Sequence, residues 1–403
     1  MPKKKLMWIS QSATATTGLG KSTRYILNSL KKEFDVINLG YNFVPKNIEP
    51  MGIDYPTYGL DLKNATDPNL LGDQVRDKIV EHSPDITVFF GDVRYFLYLP
   101  SIIRDLPDTT LVGYITVDCC NLPVTWLPTV STFDNLITTS QFAADEILKR
   151  YDRECSVIYL GHDPTVFNTE NKRRISGLED KRLVAFRVDR NQTRKNWPAT
   201  FDLWEKWCAD KDVNLIVHTR FDKEEGGAGN LKEYSYGLEN FRRKATTSSA
   251  YISRQEDFSI LMKSADVFLT TSMGEGFGLS ILEAAACGVP TLGIDFSASG
   301  ELIRSGAGVA VPPSVLYANQ EGVKMALPNM HEFNVELDKM YSDKRHLKEL
   351  SDRALEWSKS YTWKETTQKL LQELTKDIGV SILKLAVTGS DGTPKNLALE
   401  RII

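Results

Sequence analysis

Val267-Phe268-Leu269-Thr270-Thr271-Ser272-Met273-Gly274-Glu275-Gly276-Phe277-Gly278-Leu279 passes from a β-rich apolar run, through a loop with three glycines, into a stretch that reads on to Ala284-Ala285-Ala286-Cys287. The pattern predicts a buried strand over Val267–Thr271 and a helix over Gly278–Cys287. Ligands of open α/β sheets gather at the carboxyl ends of the strands, so the glycine loop marks an edge where binding is expected. Gly276 and Gly278 let the backbone approach a ligand closely. The leading N–H groups of the helix face an anion there, helped by roughly half a positive charge from the macrodipole. Glu275 stands just ahead of the helix and Glu283 beyond its first turn. A carboxylate accepts hydrogen bonds and repels phosphate, so this pair suits vicinal hydroxyls of a ribose or hexose. Two glutamates at this spacing are by themselves usually a solvated helix residue and a loop residue. The strand before them, the glycines between and Gly288-Val289-Pro290 after them make a site the better reading.

The same alternation extends outward in both directions. Strands are predicted at Leu6–Ser10, Val36–Leu39, Ile86–Phe90, Leu111–Thr116, Leu136–Thr138 and Val157–Tyr159, with helices over about Ser22–Lys32 and Phe142–Arg150. A second series follows: strand Leu183–Val188, helix Asn196–Ala209, strand Asn214–His218, helix Gln255–Lys263, the opening segment and strand Pro290–Ile294. Helical stretches then cover about 335–340, Arg345–Ser358 and Trp363–Thr375. Such alternation predicts parallel α/β layers, and 403 residues exceed what one core usually serves. The polar run Asn168–Lys181 has little to bury and marks the join. The expected architecture is two Rossmann-like domains facing a cleft, with a first domain over 1–163 and a second over 164–360. Residues 379–403 form an appended arm or hairpin.

Bulk composition narrows the function classes. A formal charge of −4 gives no global attraction to nucleic acid or anionic lipid. No stretch approaches the roughly 18–20 apolar residues of a membrane span. The five cysteines include no C-x-x-C pair and read as reduced, which together with the absence of a secretory core at the start predicts a cytoplasmic protein. Neither the histidines nor the cysteines cluster as zinc ligands, and no G-x-S-x-G elbow is present. Asp210-Lys211-Asp212 precedes its strand and lies at the wrong end for a metal-held sugar diphosphate. No metal and no cofactor are expected.

The residues from Ser264-Ala265-Asp266 to Glu301 resemble the family 4 glycosyltransferases of the GT-B fold. The resemblance is carried by Glu275-Gly276-Phe277-Gly278, Glu283-Ala284, Gly288-Val289-Pro290 and Gly300-Glu301-Leu302-Ile303. It implies a retaining, metal-independent transfer of a sugar from a nucleotide-sugar co-substrate, UDP- or GDP-linked, to a hydroxyl acceptor. That acceptor is a glycan, a lipid-linked glycan or a modified nucleic-acid base. It further implies that Glu283 holds the ribose and Glu275 lies beside the transferred sugar, while the backbone of Gly276, Phe277, Gly278 and Leu279 meets sugar and phosphate oxygens.

The loop Asp189-Arg190-Asn191-Gln192-Thr193-Arg194-Lys195-Asn196 is similar to the Arg…Lys-Asn element of that family. Arg190 and Lys195 would offset the charge of a departing diphosphate, Arg with a planar fork and Lys with a point charge. The alternative is a basic loop on a solvated face. Arg194 reads as a surface or capping residue, and Arg187, inside the strand, as a lesser claimant.

In the first half, Gly18-Leu19-Gly20-Lys21-Ser22 after the first strand has two rival readings. With Arg24 it resembles the family's amino-terminal glycine loop, which places Gly18 and Gly20 near the donor. As Gly20-Lys21-Ser22 it ends like a phosphate-binding P-loop, with Asp92 imitating the strand aspartate, although Ala15 stands where the first glycine belongs. A tight packing turn is the plain alternative. Asp118, and after it Asp92, is the candidate polar cleft residue of this half. The family's histidine has no counterpart nearby, which leaves the catalytic assignment in this half open. Tyr159-Leu160-Gly161-His162-Asp163 resembles the inter-domain crossover, where His162 serves either structure or catalysis, and Tyr361-Thr362-Trp363 resembles the terminal element of the family, which implies that the 361–378 helix packs back on the first domain. A non-catalytic sugar-nucleotide-binding protein of the same fold is a further reading.

Overall fold

The computed structural model describes residues 2–61, 68–222, 229–249, 252 and 254–376. The arm expected at 379–403 lies outside the described residues. Seven parallel strands form a first sheet: β1 (Lys5–Gln11), β2 (Asp35–Tyr41), β3 (Thr57–Gly59), β4 (Ile86–Asp92), β5 (Thr110–Thr116), β6 (Asn135–Thr138) and β7 (Ser156–Val157), in the order β3-β2-β1-β4-β5-β6-β7. Six more form a second parallel sheet: β8 (Leu183–Val188), β9 (Val213–His218), β10 (Ala245–Ser248), β11 (Val267–Leu269), β12 (Thr291–Ile294) and β13 (Gly308–Val311), in the order β10-β9-β8-β11-β12-β13. Each sheet is wound outward to one edge and then back past its first strand. The order therefore reverses between β1 and β4, and again between β8 and β11, and at such points the strand ends open a crevice. An antiparallel hairpin, β14 (Val315–Ala318) with β15 (Lys324–Leu327), follows the second sheet.

Parallel strands covered by helices on both faces should be apolar in succession, and Leu6-Met7-Trp8-Ile9 and Leu183-Val184-Ala185-Phe186 are. Their side chains divide alternately between two cores. Leu6 and Trp8 pack with Ile26 and Leu27 of the helix Gly18–Leu30, whereas Met7 and Ile9 pack with Val75 and Ile79 of the helix Pro68–His82. Trp8 meets Phe90 at 5.5 Å between ring centroids. In the second sheet Leu183 and Ala185 pack against Trp197 and Trp204, while Val184 and Phe186 face Phe268 and Leu282.

The strands expected in both series form, most of them within two residues of the expected ends. The short edge strands β3, β10 and β13 and the hairpin went unanticipated. β3 is three residues long and β10 is Ala245-Thr246-Thr247-Ser248, so neither carries an apolar run to read. The polar run Asn168–Lys181 lies against the second sheet and is held there by charge. Lys172 Nζ donates to Gly288 O at 2.9 Å, and Arg174 pairs with Asp266 at 2.5 Å.

The chain passes between the layers twice at one place. His162 N donates to Tyr361 O at 2.9 Å, and Trp363 N donates to His162 O at 3.1 Å. Gly161 lies so close to the Thr362 backbone that a side chain would not fit. The helix Trp363–Thr375 then packs on the first domain. Trp363 stacks on Tyr25 at 5.2 Å, Thr366 donates to Tyr159 O at 2.9 Å, and Leu370 and Leu374 join the core of Ile26 and Leu27. His162 is buried and accounted for here. Its Nδ1 lies 2.7 Å from Tyr361 O, and burial lowers its pKa, which makes it a joint residue rather than one open to substrate.

Candidate functional site

The loops after β8 and β11 meet at the second reversal point. After β8 the chain makes a short 3₁₀ turn, Thr193–Lys195, and Asn196 takes a left-handed conformation (φ 47°) before the helix Trp197–Trp207. Asn tolerates that conformation better than most residues. The indole of Trp197 closes the loop by donating to Arg190 O at 3.1 Å.

Beneath the loop lies Arg187, fully buried. It donates to Thr200, to the Lys195 carbonyl and to Thr271 (2.7 Å), and its guanidinium sits 4.2 Å from the Trp197 ring centroid. Burial brings its pKa down to about 10, still well above neutrality. Arg187 thus ties the two loops together from below and does not face the crevice.

Above it, Lys195 Nζ lies 2.5 Å from Asp189 Oδ1 and 2.5 Å from Glu275 Oε1. Glu275 also accepts from Ser272 Oγ at 2.6 Å and from Arg194 Nη1 at 3.0 Å, while its own amide donates to Ser297 Oγ at 2.8 Å. Burial opposes ionisation of Glu275, but the Lys195 and Arg194 charges outweigh it and hold the carboxyl far below its usual range. Arg194, expected on the surface, therefore belongs to the cluster. Its Nε lies 3.5 Å from Asp118 Oδ2 across the cleft. Arg190 is exposed, and among the described residues its guanidinium makes no hydrogen bond or ion pair. The 3₁₀ turn causes the exchange, because it points positions 194 and 195 at Glu275 while Arg190 stays outside.

Gly278 (φ 105°) starts the helix Leu279–Ala286. The amides of Gly276, Phe277, Gly278 and Leu279 donate to no protein acceptor among the described residues, as expected of leading helix N–H groups. Phe277 itself is buried in the core, 6.3 Å from Tyr159 between centroids, so only its backbone faces the cleft. Glu283 is buried and ion-paired with Lys21, which comes from the first domain. Burial raises the Glu283 carboxyl above its ordinary value, against the pull of Lys21.

The first domain meets this site closely. Gly18, exposed at its helix start, lies 3.5 Å (as a Cβ position) from the Leu279 side chain. Gly20 corrects the expectation that it lines the donor site: it is buried, and a Cβ there would meet Ala15 O at 2.6 Å and Ser12 O at 2.8 Å. Its requirement for glycine is one of packing. The loop also fits a P-loop poorly, because several of its amides, those of Gly20 and Lys21 among them, are already used. Ala13 N donates to Asn38, Thr14 N and Ala15 N to Ser12, and Gly20 N and Lys21 N to Thr17, while Lys21 is held by Glu283. Arg24 turns away and donates to Ala13 O at 2.7 Å.

Asp118, at the end of β5, is little exposed and lies 3.6 Å from Arg94 Nη1, which holds Asp92 at 2.6 Å. An alternating chain of charges, Asp92–Arg94–Asp118–Arg194–Glu275–Lys195–Asp189, thus runs from one domain to the other. Thr139 Oγ1 donates to Gly276 O at 2.8 Å, and a Cβ on Gly276 would stand 2.8 Å from Thr116. Farther along, Glu301 accepts from Gln141 N (3.0 Å), Phe142 N (2.8 Å) and Tyr159 Oη (2.5 Å), which caps a first-domain helix from the second domain. Among the described residues no group of three or more His, Cys, Asp and Glu is arranged for a metal ion, and no helix is long and apolar enough to cross a membrane.

Two predictions arise from this geometry. The backbone at Gly274 lies against Asp118 O so tightly that an added methyl must push the domains apart. Gly274→Ala is expected to cost about 1–3 kcal/mol and to expand the molecule in small-angle scattering; unchanged compactness would contradict the contact. The second concerns Asp92. Burial, aided by Asp118 and opposed by Arg94, pushes its carboxyl up to about 6 from 3.8. An acid raised on folding contributes stability that is present below pH 3.8 and lost as pH rises through about 6. The Asp92→Asn variant should lose that decline across the same window in thermal melts, with an unaltered wild-type profile as the refuting result.

Comparison with known proteins places this arrangement. Residues 168–357 match the family model described as Glycosyl transferases group 1. Sucrose synthase 2 of Tulipa gesneriana is 26% identical over 208 residues, which is 48% of this chain and 24% of that protein. O-antigen chain mannosyltransferase B of Escherichia coli is 25% identical over 189 residues, 45% of this chain and 43% of that protein. The matches therefore span less than half the length of these curated relatives. Among solved structures, Anabaena HepE in complex with UDP and glucose superposes with a TM-score of 0.72 over 93% of this chain and 100% of that one, at 16% identity. Residues 168–357, just under half of the chain, thus resemble the glycosyl transferases group 1 family, and the whole chain has the GT-B fold of two Rossmann-like domains about a cleft.

Proposed function

We propose that the protein is a retaining glycosyltransferase that moves a sugar from a nucleotide-sugar donor to a hydroxyl acceptor. The observation that carries this reading is the Glu275–Lys195–Arg194 cluster beneath the open amides of Gly276 to Leu279, at the reversal point of the second sheet. The ribose of the donor would lie against Glu283, with the diphosphate on the free amides and within reach of Lys195, Arg194 and the exposed Arg190. The charges of Lys195 and Arg194 are balanced by Asp189, Glu275 and Asp118. A diphosphate would draw the two cations toward itself and free the Glu275 carboxylate for a sugar hydroxyl. As the bond to the leaving phosphate lengthens, charge grows on the diphosphate, where preorganised cations act in the transition state. The acceptor would come from the first domain beside Asp118, and closed domains keep out the water that would hydrolyse the donor.

UDP and GDP are the expected nucleotides. The Anabaena HepE structure is a complex with UDP and glucose, and a similar Mycobacterium tuberculosis protein is named a GDP-mannose-dependent mannosyltransferase. Thermal melts with UDP-glucose, GDP-mannose and ADP-glucose test the reading. A bound donor at a hundred times its Kd adds about 2.7 kcal/mol. No shift with any of the three, together with no nucleotide release by the purified protein, would reject it. Transfer with an inverted anomeric centre, seen by NMR of the product, would keep the transferase and reject retention.

A further inference from the structure

The hairpin β14–β15 belongs to the second domain, yet its tip is bound to the first. At its base, Ala326 N donates to Met273 O at 2.9 Å, one residue before Gly274 and two before Glu275. At its tip, Cys120 N donates to Lys324 O at 3.1 Å and Lys324 N donates to Cys120 O at 2.9 Å. Asn121 Nδ2 donates to Gly322 O at 2.8 Å, and Glu321 pairs with Arg94 Nε at 2.9 Å. Cys120 and Asn121 directly follow Asp118 and Cys119 on the loop after β5. The hairpin therefore spans the cleft from the donor-side loop to the acceptor-side loop with main-chain hydrogen bonds at both ends.

Arg94 gathers these connections. Its guanidinium holds Asp92, Asp118 and Glu321 at once and lies 4.9 Å from the Trp126 ring centroid. We propose that the β14–β15 hairpin is a releasable strap over one flank of the cleft, and that Arg94, gripped by Glu321 at its tip, is a positioning residue that sets Asp118 and Arg194 against Glu275. The strap attaches through a single residue pair of backbone, one side-chain amide, one partly exposed ion pair and the side chains of Val323 and Met325, buried in the cluster that includes Leu122 and Trp126. Such an attachment is small beside the covered sheets and breaks at a fraction of their cost. Docked, it adds the Glu321 carboxylate to the Arg94 side of the charge chain; released, it leaves Arg94 with the two aspartates alone. The catalytic meaning of this rests on the glycosyltransferase reading, whereas the strap itself does not.

Opposed residues that exchange both backbone hydrogen bonds lie about 5.5 Å apart at Cα, within the range a disulfide bridges. Lys324→Cys is therefore expected to crosslink to the native Cys120 under mild oxidation, and a Cys120→Ser, Lys324→Cys control is expected not to. Failure to crosslink by disulfide or by a short bismaleimide overturns the docking. With the strap locked, association of UDP-glucose or GDP-mannose should slow at least tenfold and recover on reduction; unchanged association would make it a fixed brace and overturn its release. If the reduced protein binds neither nucleotide, the glycosyltransferase reading fails on its own. Release is then read by hydrogen exchange, where the Cys120 and Lys324 amides should exchange at least tenfold faster than those of β5. Equal protection overturns release.

For Arg94, Glu321→Gln should lower donor turnover severalfold at unchanged nucleotide Kd, and Arg94→Lys should restore part of what Arg94→Gln loses. Equal changes in kcat and Kd, or no change in either, would reduce Arg94 to a surface ion pair.

Discussion

The Lys195→Ala variant is expected to lose about 10²–10³ in turnover while still binding nucleotide. Lys195 is the cation closest to Glu275, and it lies between that carboxylate and Asp189, all three side chains largely buried. Removing it leaves two buried carboxylates with Arg194 and Arg187 as their remaining partners, which typically costs about 3–5 kcal/mol. The pH dependence separates this electrostatic loss from simple misfolding. The Glu275 carboxyl is depressed below its ordinary 4.5, so its contribution to stability is present above that value and in the wild type is lost only in stronger acid. Without Lys195 the carboxyl moves upward, and the loss on acidification begins at higher pH. Acid melts that superpose for variant and wild type would show that Lys195 does not hold Glu275 in solution, and unchanged turnover would remove it from the proposed chemistry.

For Glu283→Ala the expected result is the opposite division, with nucleotide binding weakened between about tenfold and about a hundredfold. A carboxylate that accepts from two ribose hydroxyls contributes hydrogen bonds of the charged class, which exceed neutral ones. The buried Lys21–Glu283 pair supplies the control. Lys21→Ala leaves Glu283 buried without its cation, which favours the neutral carboxylic acid and costs stability. Nucleotide binding should nonetheless persist in that variant. Binding lost in Lys21→Ala and intact in Glu283→Ala, measured by calorimetry with UDP and GDP, would reinstate a phosphate loop in the first domain and sink the ribose assignment.

How much of this could be read beforehand varies with the physics behind each feature. The Glu275–Glu283 loop was legible because a strand, a glycine turn and a helix leave a pattern within some twenty residues. Lys195 was legible by its neighbours. Arg194 was not, since nothing in Gln192-Thr193-Arg194-Lys195 announces a 3₁₀ turn that aims two successive side chains at one carboxylate. Arg94 and the hairpin were out of reach for a different reason. Their partners lie 227 positions apart in the chain, and no local periodicity encodes a contact of that span. Gly20 misled because a glycine needed for tight packing and one needed near a phosphate look alike in a sequence, and only the neighbouring Ala15 and Ser12 tell them apart.

The double passage at His162 and Thr362 bears on how the molecule is made. Trp363, Leu370 and Leu374 complete a core in which Ile26 and Leu27 leave the ribosome more than three hundred residues earlier. Chains usually acquire structure domain by domain as they emerge, amino-terminal part first. Here the first domain must wait, with an apolar helix face uncovered, until the whole of the second has been translated. Birth order and completion order are reversed: the domain that starts first is finished last. A chain released between the two passages would carry an unfinished first domain, which makes that interval the one in which a nascent molecule most needs a chaperone.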